Sequence, residues 1–371
     1  MYPYKPQTAF HPGETLREKL EETGMSAKEF AIRTGKPEKT ISAVINGKSS
    51  VTPEMAVLFE NVLKIPASFW LRKQKRYDEY LARQKQKQEL EKAKDWARQF
   101  PYTEMAKRGW VKATRKAEEK LSELLKFFNV GKKTAWEAIY LKAELPLFFR
   151  MSLKHNKNPY AVSALLRYGE IVAKKIQVEE FDKNKLEETI PTLKKIMIDE
   201  PQDMLCQIKE TLKTTGVKIV FTQHLSGSPV NGVVRWLDDR PVILMTDRYK
   251  KYDIFWFSLF HEIGHILLHG KKKNIFLEST DTREKTKEET EADNFAAQIL
   301  LDDESFEHIR TILETEKNIE AVFEYYANKY QTHRDIIVGR FLKENKNQKY
   351  KYLYGTIKEV DFKQSDKVFK I

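Results

Sequence analysis

Cysteine is almost absent from this chain: Cys206 is the only one in 371 residues, which excludes an intramolecular disulfide and fits a reducing compartment. It lies among Met204, Leu205 and Ile208, the setting of a buried core thiol rather than a reactive one. Long apolar runs are also missing. The longest is broken by His261, Glu262 and His265, so no transmembrane helix fits and no membrane partner is expected. The start, Met1-Tyr2-Pro3-Tyr4-Lys5-Pro6, has no apolar h-region, so the expectation is a cytoplasmic chain without a secretory signal. Histidine is scarce as well, with 8 in the chain, so a close pair of histidines carries weight.

Charge, by contrast, is plentiful. Charged residues make up 32%, the formal net charge is +12 and the pI is about 9.3. Such a balance argues for a polyanionic partner, not for a fold, and it gains force only beside a motif that reads DNA. The length predicts two or three domains.

The chain is organised around Phe255-Trp256-Phe257-Ser258-Leu259-Phe260-His261-Glu262-Ile263-Gly264-His265-Ile266-Leu267-Leu268-His269. On a helix, His261 and His265 share one face with Cβ atoms roughly 5–6 Å apart. Two imidazoles so placed reach one metal ion at about 2.0–2.1 Å each. Glu262 projects from the neighbouring arc, where a general base would handle water. This is the H-E-x-x-H pattern of zinc metallopeptidases, with a buried helix carrying ordinary histidines as the plain alternative. His269 continues the spacing, but three residues four apart rise about 12 Å along a helix, too far for one ion. With Gly270 after it, His269 reads as a helix-end residue.

A catalytic zinc needs a third protein ligand and an open position. The donor is sought between Thr286 and Leu300, where Ala292, Phe295, Ala296, Ile299 and Leu300 form the apolar stripe of an amphipathic helix. Glu291 points roughly 105° from the centre of that stripe, and Glu288 and Glu289 roughly 50°. Periodicity disfavours Glu291 without separating the other two. A ligating histidine usually donates its second ring N–H to a carboxylate. Glu289 has Asp293 one turn on, whereas Glu288 has Ala292. Glu289 is therefore the expected ligand and Asp293 the residue that orients a histidine.

The segment His261 to His269, with Glu289-x-x-Ala292-Asp293-x-Phe295-Ala296, resembles the ImmA/IrrE family of zincin-like metallopeptidases over roughly residues 200–345. That family is known for regulatory proteolysis of DNA-binding repressors. The resemblance implies one zinc per chain held by His261, His265 and Glu289, with Glu262 as the catalytic general base.

Near the N-terminus, His11-Pro12-Gly13-Glu14 opens a helix that Gly24 stops. Ser26-Ala27-Lys28-Glu29 forms a capping box for a second, ending at Thr34-Gly35. Pro37 starts a third that runs to Asn46-Gly47, and Thr52-Pro53 starts a fourth. Two short helices joined by a glycine turn make a helix-turn-helix. The spacing of Ala31, Gly35, Ile41 and Asn46-Gly47 resembles the XRE type. The phrases His11-Pro12-Gly13-Glu14 and Ile65-Pro66-Ala67-Ser68-Phe69-Trp70-Leu71 narrow the likeness to the HigA-like antitoxin branch, over about residues 8–85. One departure, Lys36-Pro37, predicts a weaker N-cap for the third helix. If that helix docks as such helices do, Glu38, Lys39, Ser42 and Ala43 meet base edges, Thr40 and Lys48 meet phosphates, and Ile41, Val44 and Ile45 face the core.

From Ser68 to Phe100 a long polar helix is expected, and residues 101–200 continue helical with breaks at Pro101, Gly109, Pro146 and Pro191. This middle region either recognises a partner or holds the next domain. Val217–Phe221, Gly232–Trp236 and Pro241–Met245 read as three strands, the last two joined at Asp238-Asp239, with an edge open to an extended peptide. Lys271 to Lys287 reads as a charged loop, a lid over the cleft. For the oxyanion, Tyr249, Tyr252, Tyr325, Tyr326 and His333 are all candidates.

The fold class is thus mainly α, with an all-α helix-turn-helix domain (1–70), a helical middle region (71–200), a small α+β zincin-like domain (201–345) and a basic tail (346–371). Two functions fit this layout. One is a DNA-binding regulator with a zinc endopeptidase acting on a regulatory protein. The other is a HigA-like antitoxin or repressor whose zincin domain senses or braces. The partners expected are a double-stranded DNA operator and a protein substrate or toxin, with a homodimer as the assembly.

Overall fold

The structure is a computed structural model that describes residues 9–142, 158–272, 275–279, 286–316, 318–345 and 347–362. The chain divides into two compact units, Met1–Lys94 and Asp95–Ile371.

In the first unit, α1 (Pro12–Glu22), α2 (Ala27–Thr34), α3 (Glu38–Ile45) and α4 (Pro53–Leu63) follow the sequence punctuation closely. Ser26 Oγ accepts the Glu29 N–H at 3.1 Å, and Thr52 caps α4 by accepting from Met55 N. The capping box is one-sided, because the Glu29 carboxylate is taken by Arg33 at 2.6 Å. Pro37 precedes α3 with no side-chain cap, as the departure there predicts. Leu16, Leu20, Phe30, Ile41, Val44, Phe59 and Trp70 form the core. The long α5 (Ala67–Arg98) is tied down at its start, where Gln74 accepts the Val51 N–H at 2.9 Å.

The second unit opens with α6 (Tyr102–Lys107), α7 (Ala117–Phe128), α8 (Lys133–Glu137) and a π-helical turn (Ala138–Lys142). After them comes α9 (Pro159–Ala173). Trp136 stacks on Tyr160 with ring centroids 5.2 Å apart, and Trp96, Phe100 and Phe128 pack edge-on around them. Pro146 falls outside the described residues. These helices grip the sheet that follows. Arg108 donates to the Gln223 carbonyl at 2.7 Å, Glu104 accepts the Ser226 N–H at 3.0 Å, and Lys218 reaches the Ala173 carbonyl at 2.9 Å.

Three short helices, α10 (Lys183–Glu188), α11 (Ile190–Asp199) and α12 (Met204–Lys213), lead into the sheet. Its strands are β1 (Lys218–Thr222), β2 (Val230–Leu237), β3 (Arg240–Thr246) and β4 (Ile275–Ser279), in the order β1-β3-β2-β4. β1 runs parallel to β3, and β2 is antiparallel to both β3 and β4. Asp238 (φ 48°) and Asp239 (φ 63°) supply the two left-handed residues of a tight hairpin.

β4 corrects the expectation of a charged loop from Lys271 to Lys287. The apolar triplet Ile275-Phe276-Leu277 pairs with the free side of β2, an edge that local charge patterning does not reveal. Residues 273–274 and 280–285 lie outside the described residues, and with them the lid reading.

The central helix α13 (Tyr252–His269) packs beside α14 (Lys287–Leu300) and α17 (Arg334–Glu344), and shares one hydrophobic core with α15 (Asp303–Thr315) and α16 (Ile319–Lys329). The basic tail expected from residue 346 also needs correcting. A 3₁₀ helix (Gln348–Gly355) and the stretch after it place Leu353, Ile357, Val360 and Phe362 in the same core. The backbone of that stretch is pinned by Tyr252 N to Lys358 O (3.0 Å) and Val360 N to Lys250 O (2.7 Å). Lysines between the apolar residues hid this from a charge-based reading. Residues 363–371 are outside the described set.

Candidate metal centre

α13 is apolar on every side, with Phe255, Trp256, Leu259, Phe260, Ile263, Ile266 and Leu267 all buried. A helix of that kind belongs in a core, and a polar group on it must be satisfied there. His261, Glu262 and His265 are nevertheless 1%, 0% and 0% exposed. Three titratable groups so deep on one helix demand a compensating arrangement.

Part of it comes from α14. Gly264 faces that helix, and a Cβ on it would stand 2.9 Å from Phe295 Cδ1 and 3.4 Å from Ala292 Cα. With buried Ala292 and Ala296 opposite, the helices approach closely enough for Glu289 to enter the site. His261 Nε2 and His265 Nε2 are 3.0 Å apart, and the Glu289 oxygens lie 3.3 Å from the first and 3.4 Å from the second. Among the described residues these three form the one group with metal-binding geometry, their donor atoms all within 4.8 Å of one another. Tetrahedral bonds of 2.0–2.1 Å imply donor separations of about 3.3 Å. The donors therefore fit a zinc ion in number, type and spacing.

On the far side of His261, Nδ1 lies 2.9 Å from Asp293 Oδ1. Thr286 caps α14 by accepting from Glu289 N at 3.3 Å. Of the neighbouring glutamates, Glu291 turns elsewhere. Glu291 pairs with Lys287 at 3.5 Å and lies 3.7 Å from His269 Nδ1, and the Glu288 carbonyl is 3.2 Å from His269 Nε2. His269 thus ties the end of α13 to the start of α14.

Electrostatics favours the metal-ready protonation states. Burial lowers His265 to about 4, against the pull of Glu289, so its ring is neutral at pH 7. For Glu289 burial works upward, but hydrogen bonds from His261 and His265 outweigh it and hold the carboxyl down to about 2. A neutral His265 ring facing an ionised Glu289 is the protonation state in which these two groups can ligate a metal ion.

Of the five oxyanion candidates, two are committed elsewhere. Tyr252 donates to the Met197 carbonyl at 2.7 Å, and His333 bonds Glu200 and accepts from Asp335 N at 3.0 Å. Tyr249 and Tyr325 are exposed, and Tyr326 stacks on Tyr330. Two glycines matter here that sequence reasoning passed over, Gly264 and Gly232; an invisible Cβ leaves no periodic signal.

In the first unit, Glu38, Lys39 and Lys48 are exposed, while Thr40, Ser42 and Ala43 are half-buried along the same helix and its end. Ile41 and Val44 are fully buried beneath them, and Ile45 packs against the core. No helix among the described residues is long and apolar enough to cross a membrane.

Known proteins match both halves. The profile of the IrrE N-terminal-like domain, of the M78 peptidases, covers residues 213–332, and a helix-turn-helix profile covers residues 16–70. Virulence-associated protein A of Dichelobacter nodosus is 39% identical over 69 residues, 18% of this chain and 68% of that protein. The uncharacterised helix-turn-helix-type transcriptional regulator YddM of Escherichia coli K12 is 35% identical over 60 residues, 16% of this chain and 64% of its own length. Among solved structures, one described as an antidote protein of a plasmid maintenance system from Nostoc punctiforme is 32% identical. It covers 23% of this chain and 93% of that one, with a TM-score of 0.23. A HigA-family addiction module antidote protein from Coxiella burnetii is 33% identical, covering 22% and 91%, with a TM-score of 0.21.

Proposed function

For a chain that belongs to the XRE-type helix-turn-helix family and carries an IrrE-type M78 peptidase domain behind it, we propose a DNA-binding regulator with a zinc-dependent endopeptidase acting on a regulatory protein. The observation that carries this reading is the donor triangle of 3.0, 3.3 and 3.4 Å with buried Glu262 next to it. His261, His265 and Glu289 would hold the metal. Zinc, when bound, supplies Lewis-acid activation of water and of the scissile carbonyl. Glu262 takes the proton from the attacking water and returns it to the leaving amine. Asp293 fixes the ring of His261 through Nδ1.

In the first unit α3 meets the major groove of a double-stranded operator. Glu38, Lys39, Ser42 and Ala43 face base edges, and Thr40 and Lys48 face phosphates. A homodimer would match a two-fold operator. DNA binding and the lone Cys206 agree with a cytoplasmic protein. The substrate class is a repressor or a toxin-system partner, brought near by the same DNA.

The completeness of the DNA-reading unit, with its own core and capped helices, favours a second reading, an antitoxin or repressor whose zincin domain senses or braces. Glu262→Gln separates the two. The change keeps volume and ligands but removes the base, and general base catalysis is worth roughly 10²–10⁴-fold. In cells, a partner protein that becomes stable with unchanged operator binding supports the peptidase. Unchanged partner turnover and unchanged transcription support the antitoxin.

A further inference from the structure

Glycine at position 232 is a feature of the site that metal binding does not explain. Gly232 sits inside β2, paired with Met245 of β3. An interior glycine weakens a strand, because it packs no side chain and loses more backbone entropy than other residues. Its neighbours Val230, Val233 and Val234 are buried valines, the residue type such a strand favours. A Cβ added at Gly232 would stand 2.5 Å from Glu262 Oε1, 2.9 Å from Cγ and 3.1 Å from Cδ. All three are inside the roughly 3.5 Å at which non-bonded heavy atoms touch. Glu262 is 0% exposed, so its carboxylate has no solvent side to swing towards. The pairing of β2 with β4 also loses register between Val230 and Val233, the residues that bracket Gly232.

We propose that Gly232 is a positioning residue for Glu262. The bare backbone of β2 lies against the carboxylate and holds it in one rotamer, and any side chain at 232 displaces it. The sheet thereby sets the direction of the proton-accepting oxygens, while the helix alone sets only their height. This rests on the reading of Glu262 as general base.

The test is a double-mutant cycle on thermal unfolding of the full-length, metal-free protein. Gly232→Ala should lower the transition by several degrees in the wild-type background and as much with Glu262→Gln, which keeps the volume. In the Glu262→Ala background the loss should be less than half as large. Equal losses in the wild-type and Glu262→Ala backgrounds overturn the proposal, since the cost would then lie in the strand itself. If Gly232→Ala is insoluble, recovery of soluble protein in Gly232→Ala/Glu262→Ala supports it, and insolubility of both overturns it. Zinc content separates this from the functional reading. Gly232→Ala should keep the metal that wild type binds, whereas a wild type that binds none removes the peptidase reading and leaves the steric cycle standing.

Discussion

Asp293 Oδ1 lies 2.9 Å from Nδ1 of His261, on the side of the ring away from Glu289. A carboxylate there fixes the tautomer that leaves Nε2 free to ligate. Asp293→Ala should therefore weaken zinc binding about 10–100-fold without touching a ligand, and Asp293→Asn should fall between it and wild type. Competition against a chromophoric chelator measures this. Unchanged affinity in Asp293→Ala would remove its orienting role.

The three acidic residues of the α14 first turn and a half should separate sharply. Glu289→Ala and His261→Ala should lose the metal at sub-stoichiometric chelator, because each deletes one corner of the donor triangle. Glu288→Ala and Glu291→Ala should retain about one zinc per chain. Metal analysis of the purified variants decides the point, and full occupancy in Glu289→Ala would identify a different third ligand.

DNA binding should be salt-sensitive, with affinity for an inverted repeat falling as ionic strength rises. Replacing exposed Lys39, or Ser42 one turn on, should erode the preference for that repeat by about 1–3 kcal/mol for each base that is no longer read. Lys48→Ala should weaken binding to all sequences alike and reduce the salt slope by about one. Titrations at several salt concentrations provide the check; a flat salt response would exclude this docking mode.

Asp253 gives a pH prediction. Its Oδ1 is shut off from solvent without a hydrogen-bond partner among the described residues. Burial raises the carboxyl to about 6, helped by Asp335 and opposed by the N–H groups of Ile254 and Asp253 itself and by Lys251. The folded chain thus holds this proton more tightly than the unfolded one, so the stabilisation is complete below about pH 4 and lost as pH rises through 6. Asp253→Asn, which cannot ionise, should match wild type near pH 4 and be more stable by about 1–3 kcal/mol at pH 8. Melting curves of both proteins across that range test it, and an advantage over wild type no larger at pH 8 than at pH 4 would contradict the shift.

Much of the centre was legible before any fold was known, because it is written in short-range spacing. His261 and His265 share a helix face by virtue of four residues, and Glu289 stands out from Glu288 because Asp293 follows it by one turn. The helix-turn-helix was legible for the same reason: caps such as Ser26 and Thr52 and the stop at Gly35 act within three or four residues. What depends on a distant partner was not legible. β4 exists because β2 offers it an edge, and Leu353 to Phe362 are core because α13 and β1 leave them a place. The two glycines that shape the site follow the same logic. Gly264 admits α14 and Gly232 admits the carboxylate of Glu262, and both needs arise only once segments far apart in sequence are brought within van der Waals contact.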